Sequence, residues 1–375
     1  MLKVLFVFGT RPEAIKLAPL IQRMAEHRSF FDFRICITAQ HRQMLDQALE
    51  LFRIQPDYDL NVMEDNQSPT QVAAAVLSRL EAILEEDRPD WVIVQGDTAS
   101  AAAAAWAAFH AGAKIGHVEA GLRTNDKLQP FPEEINRRLI TLVADLHFAS
   151  TEQSRLNLLK EGVSDEHIRV TGNTIVDALR WALQIEPTAQ ITDLLHNLKA
   201  NGQIQKIILV TAHRRENFGL PLENICTALR TIVGNYGQQV QVVFNVHPNP
   251  NVASLVTRML GDTPGVTLLP PLDYVSMAHL LNESHLVVTD SGGVQEESTS
   301  LGKPLLVIRK KTDRPESVDA GTARVVGVET ETVIKHLMTL LDEPEAYESM
   351  AKVAAVFGEG DATQKIITAL LDLQP

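Results

Sequence analysis

Two stretches of this 375-residue chain set a carboxylate just behind an apolar run, Asp97 after "VIVQG" and Glu119 after "IGHV", and a third, "FPEEINRR", opens a helix with Glu133 and Glu134. A carboxylate at the end of a buried strand projects into a partly dry pocket. Neighbouring negative charge there pushes at least one pKa upward, which is how an enzyme obtains an acid and a base near neutral pH. Each group also has a plainer reading: Asp97 before Thr98 fits a helix N-cap, and Glu133 and Glu134 fit first-turn partners of a helix dipole. As a set they point to proton transfer.

A second group of residues suits an anion. In "VFGTRPEAIK" (7–16), Gly9 allows a tight turn, Pro12 shapes the entry to a helix, and Arg11 and Lys16 offer charge-assisted donors to a diphosphate. In "DSGGVQEE" (290–297), Ser291, Gly292 and Gly293 let the backbone approach a phosphate at the start of a helix, and Glu297 can accept from ribose hydroxyls. "VTAHRRENFG" sets His213 beside Arg214, Arg215, Glu216 and Asn217, an anion site with a titratable partner. Here too plainer readings stand. Lys16 fits a solvated helix residue, Glu297 a first-turn glutamate, and Ser-Gly-Gly a turn that only redirects the chain. No Gly-x-Gly-x-x-Gly follows a strand, so a tightly held dinucleotide has no fingerprint. The histidines lack metal-ligand spacing, so no zinc site is expected.

These residues need a scaffold that brings strand ends together. "LKVLFVF", "FRICITA", "WVIVQ", "AKIGHVE" and "LHFAS" alternate with helical patterns in the first half, and "KIILVTA", "VQVVFNV", "VTLL", "SHLVVTD" and "PLLVI" do so in the second. Strand–helix alternation predicts parallel sheets wound on both faces. The expected fold is α/β, with a first doubly wound domain over 1–185, a polar linker over 186–205, and a second domain over 186–360. The closing amphipathic helix, about 361–375, packs on one of the two. Open sheets of this kind bind ligands at the carboxyl ends of their strands, so a cleft between the domains is the expected site.

A net charge of −13 argues against a nucleic-acid or membrane-surface binder, because a phosphate backbone would meet a repulsive average field. Any anionic ligand is therefore small and locally held. Cys36 and Cys226 fall in apolar runs and read as buried thiols rather than a disulfide framework. With no signal-peptide pattern and no run of about 18 apolar residues, the expected compartment is the cytoplasm.

In order along the chain, "FGTRPEAIKLAPL", "TAQHRQMLDQ", "VQGDTAS", "GHVEAGLRT", "FPEEINRR", "TGNTIVDAL", "TAHRRENFG", "DSGGVQEES" and "RPESVDAGTARVVG" resemble the signature blocks of the non-hydrolysing UDP-N-acetylglucosamine 2-epimerases. The resemblance implies a glycosyltransferase-B type fold, two Rossmann-like domains facing a cleft. It also implies a cofactor-free interconversion of UDP-N-acetylglucosamine and UDP-N-acetylmannosamine through elimination of UDP and a 2-acetamidoglucal. By position in the blocks, Asp97, Glu119 and Glu133 are the acid/base candidates, and His213 stabilises the leaving diphosphate. Arg11, Lys16, Arg137, Leu272, Met277, Ser291, Gly292, Gly293, Glu297 and Arg314 are implied to bind substrate. Gln40, Gln43, Arg215 and His247 match a site where many bacterial members hold a second UDP-N-acetylglucosamine as activator. A homodimer in cell-surface polysaccharide synthesis is implied as well.

Three departures fall on the nucleotide side. Met277 stands where a phenylalanine is common, so base stacking is expected to be weaker or supplied by Tyr274; Thr299 replaces a common proline; and Lys310 and Lys311 replace acidic and hydroxyl residues. The competing readings are a hydrolysing 2-epimerase, a glycosyltransferase on the same fold and a non-catalytic nucleotide-sugar sensor.

Overall fold

The structure is a computed structural model describing residues 1–40, 42–64, 67–200 and 206–372, apart from the side chains of Gln43, Lys199 and Ala200. The chain divides into two compact units. One comprises Met1–Ala178 with the chain from Phe357 onward, the other Leu179–Val356.

In the first unit the strands are β1 (Leu2–Phe8), β2 (Phe31–Ile37), β3 (Tyr58–Asp59), β4 (Trp91–Gln95), β5 (Lys114–Ala120), β6 (Leu146–Ala149) and β7 (Ile168–Val170). They form one parallel sheet in the order β3-β2-β1-β4-β5-β6-β7. A sheet covered by helices on both faces needs strands that are apolar throughout rather than alternating. β4, "WVIVQ", is buried at every position, and β1 at all but Lys3. The alanine-rich helix Ala99–His110 buries Ala101, Ala104, Ala105 and Ala108 completely, since small side chains let it lie close to its neighbours. The strand order reverses between β1 and β4, so the loops after those two strands diverge and leave room for a ligand.

The second unit repeats the plan with β8 (Lys206–Thr211), β9 (Val240–Asn245), β10 (Val266–Leu269), β11 (Leu286–Thr289), β12 (Leu305–Val307) and β13 (Ala323–Val325). The sheet order is β10-β9-β8-β11-β12-β13, again parallel, with its reversal between β8 and β11. One expectation needs correction. Residues 186–205 are not a plain linker, because a helix runs from Ala189 to Ala200, with 201–205 lying outside the described residues. Ile191 is fully buried, and Leu194, Leu195 and Leu198 pack on the same cluster as Leu209 and Val243. The spacing 191, 194, 195, 198 is one face of a helix, diluted by polar residues between its members.

The closing helix Ala362–Asp372 returns to the first unit. Gly172 and Gly358, both at positive φ, approach so closely that a Cβ on either would fall 2.9 Å from the other's Cα. Buried Asp177 then accepts from the Ala362 N–H at 3.2 Å, the Thr363 N–H at 3.1 Å and the Thr363 hydroxyl at 2.7 Å. It thereby caps a helix that begins far away in sequence. His117 and His147, register partners on β5 and β6, are also buried, and burial depresses their pKa values to about 4 and about 3.

Asp177→Ala should cost roughly 1–3 kcal/mol through stranded donors at the start of that helix; an unchanged urea midpoint would contradict the cap. The histidines predict a pH effect. Each stays neutral in the fold while the unfolded chain takes up a proton below about pH 6.5. Stability is then complete above that pH and falls toward pH 4, by roughly 2 kcal/mol per histidine at pH 5. Denaturant unfolding at pH 7.5, 6 and 5 should show a shallower dependence for His117→Asn, and equal slopes would refute it.

Candidate active site

In the first unit the candidate side chains sit on the loop after β4, on the helix Arg11–Ala25 that follows the turn after β1, on the end of β5, and on the start of the helix Glu133–Val143. Gly9 is required for close approach, since a Cβ there would overlap the Thr38 hydroxyl. The loop it opens is held by Glu13, a residue the motif reading did not single out. Glu13 is buried; its Oε2 accepts from the Gly9 N–H at 3.0 Å and the Thr10 N–H at 2.7 Å, and its Oε1 accepts from the Thr98 hydroxyl at 2.7 Å. Burial raises its pKa against the lowering effect of these donors. The Thr10-x-x-Glu13 capping-box spacing was the signal that marks it. Glu13 thus locks the Gly9–Thr10 turn to the Asp97–Thr98 loop.

Glu119 sits where the β5–β6 register shifts between Val118 and Ala120, with φ of 65°. A non-glycine residue in the left-handed region costs about 1–3 kcal/mol and is kept where surrounding contacts impose it. Its Oε2 pairs with Lys16 Nζ and accepts from Gln95 Nε2 at 2.6 Å. Lys16 is therefore a buried partner of Glu119, not a solvated helix residue.

Asp97 is not the N-cap. Thr98 takes that role, accepting from the Ala101 N–H at 3.0 Å. Arg137 grips Asp97 Oδ2 with Nε at 2.8 Å and Nη2 at 2.6 Å, and Asn136 donates to its main-chain oxygen at 2.8 Å. Behind Arg137 stands Glu134, buried, 3.3 Å from Nη1 and accepting from the Thr124 and Asn125 N–H groups at 3.0 and 3.2 Å. Burial pushes Glu134 up, but those donors and Arg137 outweigh it and its pKa is lowered. Glu134 is therefore an anchor, while its neighbour Glu133 has a buried Oε2 with no hydrogen-bond partner among the described atoms. Asp97 and Glu133 line one cavity of about 500 Å³ together with Thr10, Gln40, Thr98 and Asn136.

The second unit gathers the residues expected to bind an anion. Ser291 precedes the helix Gly292–Ser300, its N–H donating to the Thr289 hydroxyl at 3.0 Å. A Cβ on Gly292 would come within 3.5 Å of Arg314 Cζ, so the guanidinium lies against the glycine turn. Arg314 is buried and paired with Glu296. Burial alone would raise Asp313, but Arg314, Arg214 and Arg309 around it hold its pKa at about 2. Arg309, Asp313 and Glu296 escaped the motif reading because no spacing links them to the glycines. Glu297 is buried one position further on, and Arg215 is exposed. Leu272 lies in the core cluster, with half-buried Met277 packed on it and Asn245 Nδ2 3.7 Å from the Met277 sulfur. Tyr274, expected at the base, is buried as well. Thr299 donates to the Ser317 hydroxyl at 3.0 Å.

His213 follows β8, with Nδ1 3.1 Å from Asp290 Oδ1, and its ring stacks on His247 at 5.5 Å between centroids. The Gln43 side chain lies outside the described residues.

A family model described as UDP-N-acetylglucosamine 2-epimerase matches residues 23–371. The UDP-N-acetylglucosamine 2-epimerase of Escherichia coli K12 is 47% identical over 371 residues, 98% of each chain. The solved UDP-GlcNAc 2-epimerase of Neisseria meningitidis, bound to UDP-GlcNAc, matches with TM-score 0.92 at 44% identity over 99% of this chain and 100% of that one. The Methanocaldococcus jannaschii enzyme, in complex with UDP-GlcNAc and UDP, matches with TM-score 0.84 at 32% identity over 99% and 100%. Sequence and fold agree over almost the whole length, and the chain belongs to the UDP-N-acetylglucosamine 2-epimerase family.

Proposed function

We propose that the chain reversibly epimerises UDP-N-acetylglucosamine to UDP-N-acetylmannosamine by eliminating and re-adding UDP. The observation that carries this reading is a trio of carboxylates in the first unit, Asp97 and Glu119 at strand ends and Glu133 at a helix start. Asp97 is gripped by Arg137, Glu119 is paired with Lys16, and Glu133 has a buried oxygen with no hydrogen-bond partner among the described atoms. C2 of the sugar lies beside no carbonyl, so a stable carbanion there is out of reach. Elimination avoids it: a carboxylate takes the C2 proton, the C1–O bond breaks with its electron pair leaving on UDP, and a C1–C2 double bond forms. A UDP oxygen then attacks C1 while C2 is protonated on the opposite face, restoring every atom. Two faces need two proton-transfer groups, which the trio supplies.

The second unit takes the nucleotide. Ser291, Gly292, Gly293 and Arg314 suit a diphosphate whose charge grows as C1–O breaks, and donors fixed in advance favour that state over the ground state. His213 is assigned to the leaving oxygen, and Arg11, Glu297, Leu272 and Met277 to positioning. Gln40, Gln43, Arg215 and His247 are assigned to a second nucleotide sugar as activator. A cytoplasmic homodimer serving surface-polysaccharide synthesis belongs to the same proposal.

Proton NMR of an incubation with UDP-N-acetylglucosamine should show UDP-N-acetylmannosamine reaching a fixed ratio. Free N-acetylmannosamine accumulating with UDP would replace this reading with a hydrolytic one. Asp97→Asn should lower kcat by about 10²–10⁴ with UDP affinity nearly intact; a wild-type rate removes Asp97 from the chemistry.

A further inference from the structure

We propose that Asp290 is a positioning residue for His213, fixing its imidazole with the proton on Nδ1 and presenting Nε2 to the leaving diphosphate. This rests on the reading of His213 given above. β8 and β11 are neighbours at the reversal of the second sheet, so the loops after them start side by side. Asp290, directly after β11, is wholly buried, and His213 follows β8 with its side chain about one-third exposed. Nδ1 lies 3.1 Å from Asp290 Oδ1. A carboxylate only accepts, so Nδ1 carries the hydrogen and the outer nitrogen, Nε2, holds the lone pair or a second proton.

The carboxylate cannot turn away. Its Oδ2 accepts from the His213 N–H, the Arg214 N–H and Asn217 Nδ2, each at 2.9 Å, and Asn217 also donates to the Ile308 carbonyl at 3.1 Å. Arg214 Nε adds a bond to the Asp290 main-chain oxygen at 3.3 Å. Burial would raise Asp290, but the His213 ring and the N–H donors outweigh it, so its pKa is lowered and it stays charged. An ionised, immobile acceptor behind a histidine fixes its tautomer and favours its imidazolium.

The stacked neighbour sharpens the assignment. The Asn249 N–H donates to His247 Nδ1 at 3.2 Å, which puts that ring's hydrogen on Nε2. Burial, followed by His213, lowers the pKa of His247 against a smaller raising effect of Asp290. The two rings lie 18° from parallel, with the Asp290 carboxylate at His213 Nδ1 and the Asn249 N–H at His247 Nδ1.

The test is two-bond ¹⁵N–¹H correlation on the full chain with ¹⁵N-labelled histidine, the His213 signals being identified by their loss in His213→Asn. The native chain at mildly alkaline pH should show His213 as the Nδ1–H tautomer; an Nε2–H tautomer there overturns the proposal without any Asp290 variant. Asp290→Asn should shift His213 toward Nε2–H and lower kcat by about 10²–10⁴ with KM changed less than about threefold. The double variant should be as slow as His213→Asn alone. An unaltered His213 spectrum in Asp290→Asn, or a double variant well below His213→Asn, would reduce Asp290 to a structural residue. The predicted tautomer in a chain that turns over no UDP-N-acetylglucosamine would uphold this pair and sink the proposed reaction instead.

Discussion

A charge taken out of water must be met by a fixed partner, and the Arg137–Asp97 contact shows what that demands. Asp97 follows a strand; Arg137 lies on a helix 40 residues later. For the guanidinium to hold one carboxylate oxygen with two donors, it must itself be held, and Glu134 does so from the preceding turn of the same helix. Glu134 in turn is bonded to the backbone of the loop at Thr124 and Asn125. Breaking any member strands a buried charge, which costs more than the intact pair contributes. Lys16 with Glu119 repeats this logic, and so does Arg314 with Glu296.

The parallel sheets make such chains of contact possible. Where strand order reverses, adjacent loops part and the carboxyl ends of neighbouring strands are left uncovered. In the first unit the reversal falls between β1 and β4, where Glu13 bridges the two loops through Thr98. In the second it falls between β8 and β11, where Asp290 bridges them through His213 and Asn217. One buried acid at each reversal thus ties a strand-end loop to its neighbour. The two units arrive at the same device with different residues.

Much of this was legible in the sequence for a definite reason. Strands buried on both faces read as unbroken apolar runs, and the groups that do chemistry follow them directly, so Asp97, Glu119, His213 and the Ser291–Gly293 turn stood out. The edge strands Tyr58–Asp59 and Ala323–Val325 did not, being too short to carry a period. The helix Ala189–Ala200 was lost among its polar residues. Glu13, Gln95, Glu134, Asp290, Arg309 and Asp313 matter through partners set by tertiary packing. Spacing can name a charged residue, but it does not reveal whether the charge is offered to a ligand or already occupied, as Glu133 and Glu134 show side by side.

The central claim is that strand-end carboxylates remove and return hydrogen at one sugar carbon while the diphosphate departs and comes back. Incubation with UDP-N-acetylglucosamine in deuterated water tests it most directly, watching C2 by proton NMR. The account predicts that every molecule of the epimer formed carries solvent deuterium at C2. Epimer that keeps its original hydrogen there would contradict it.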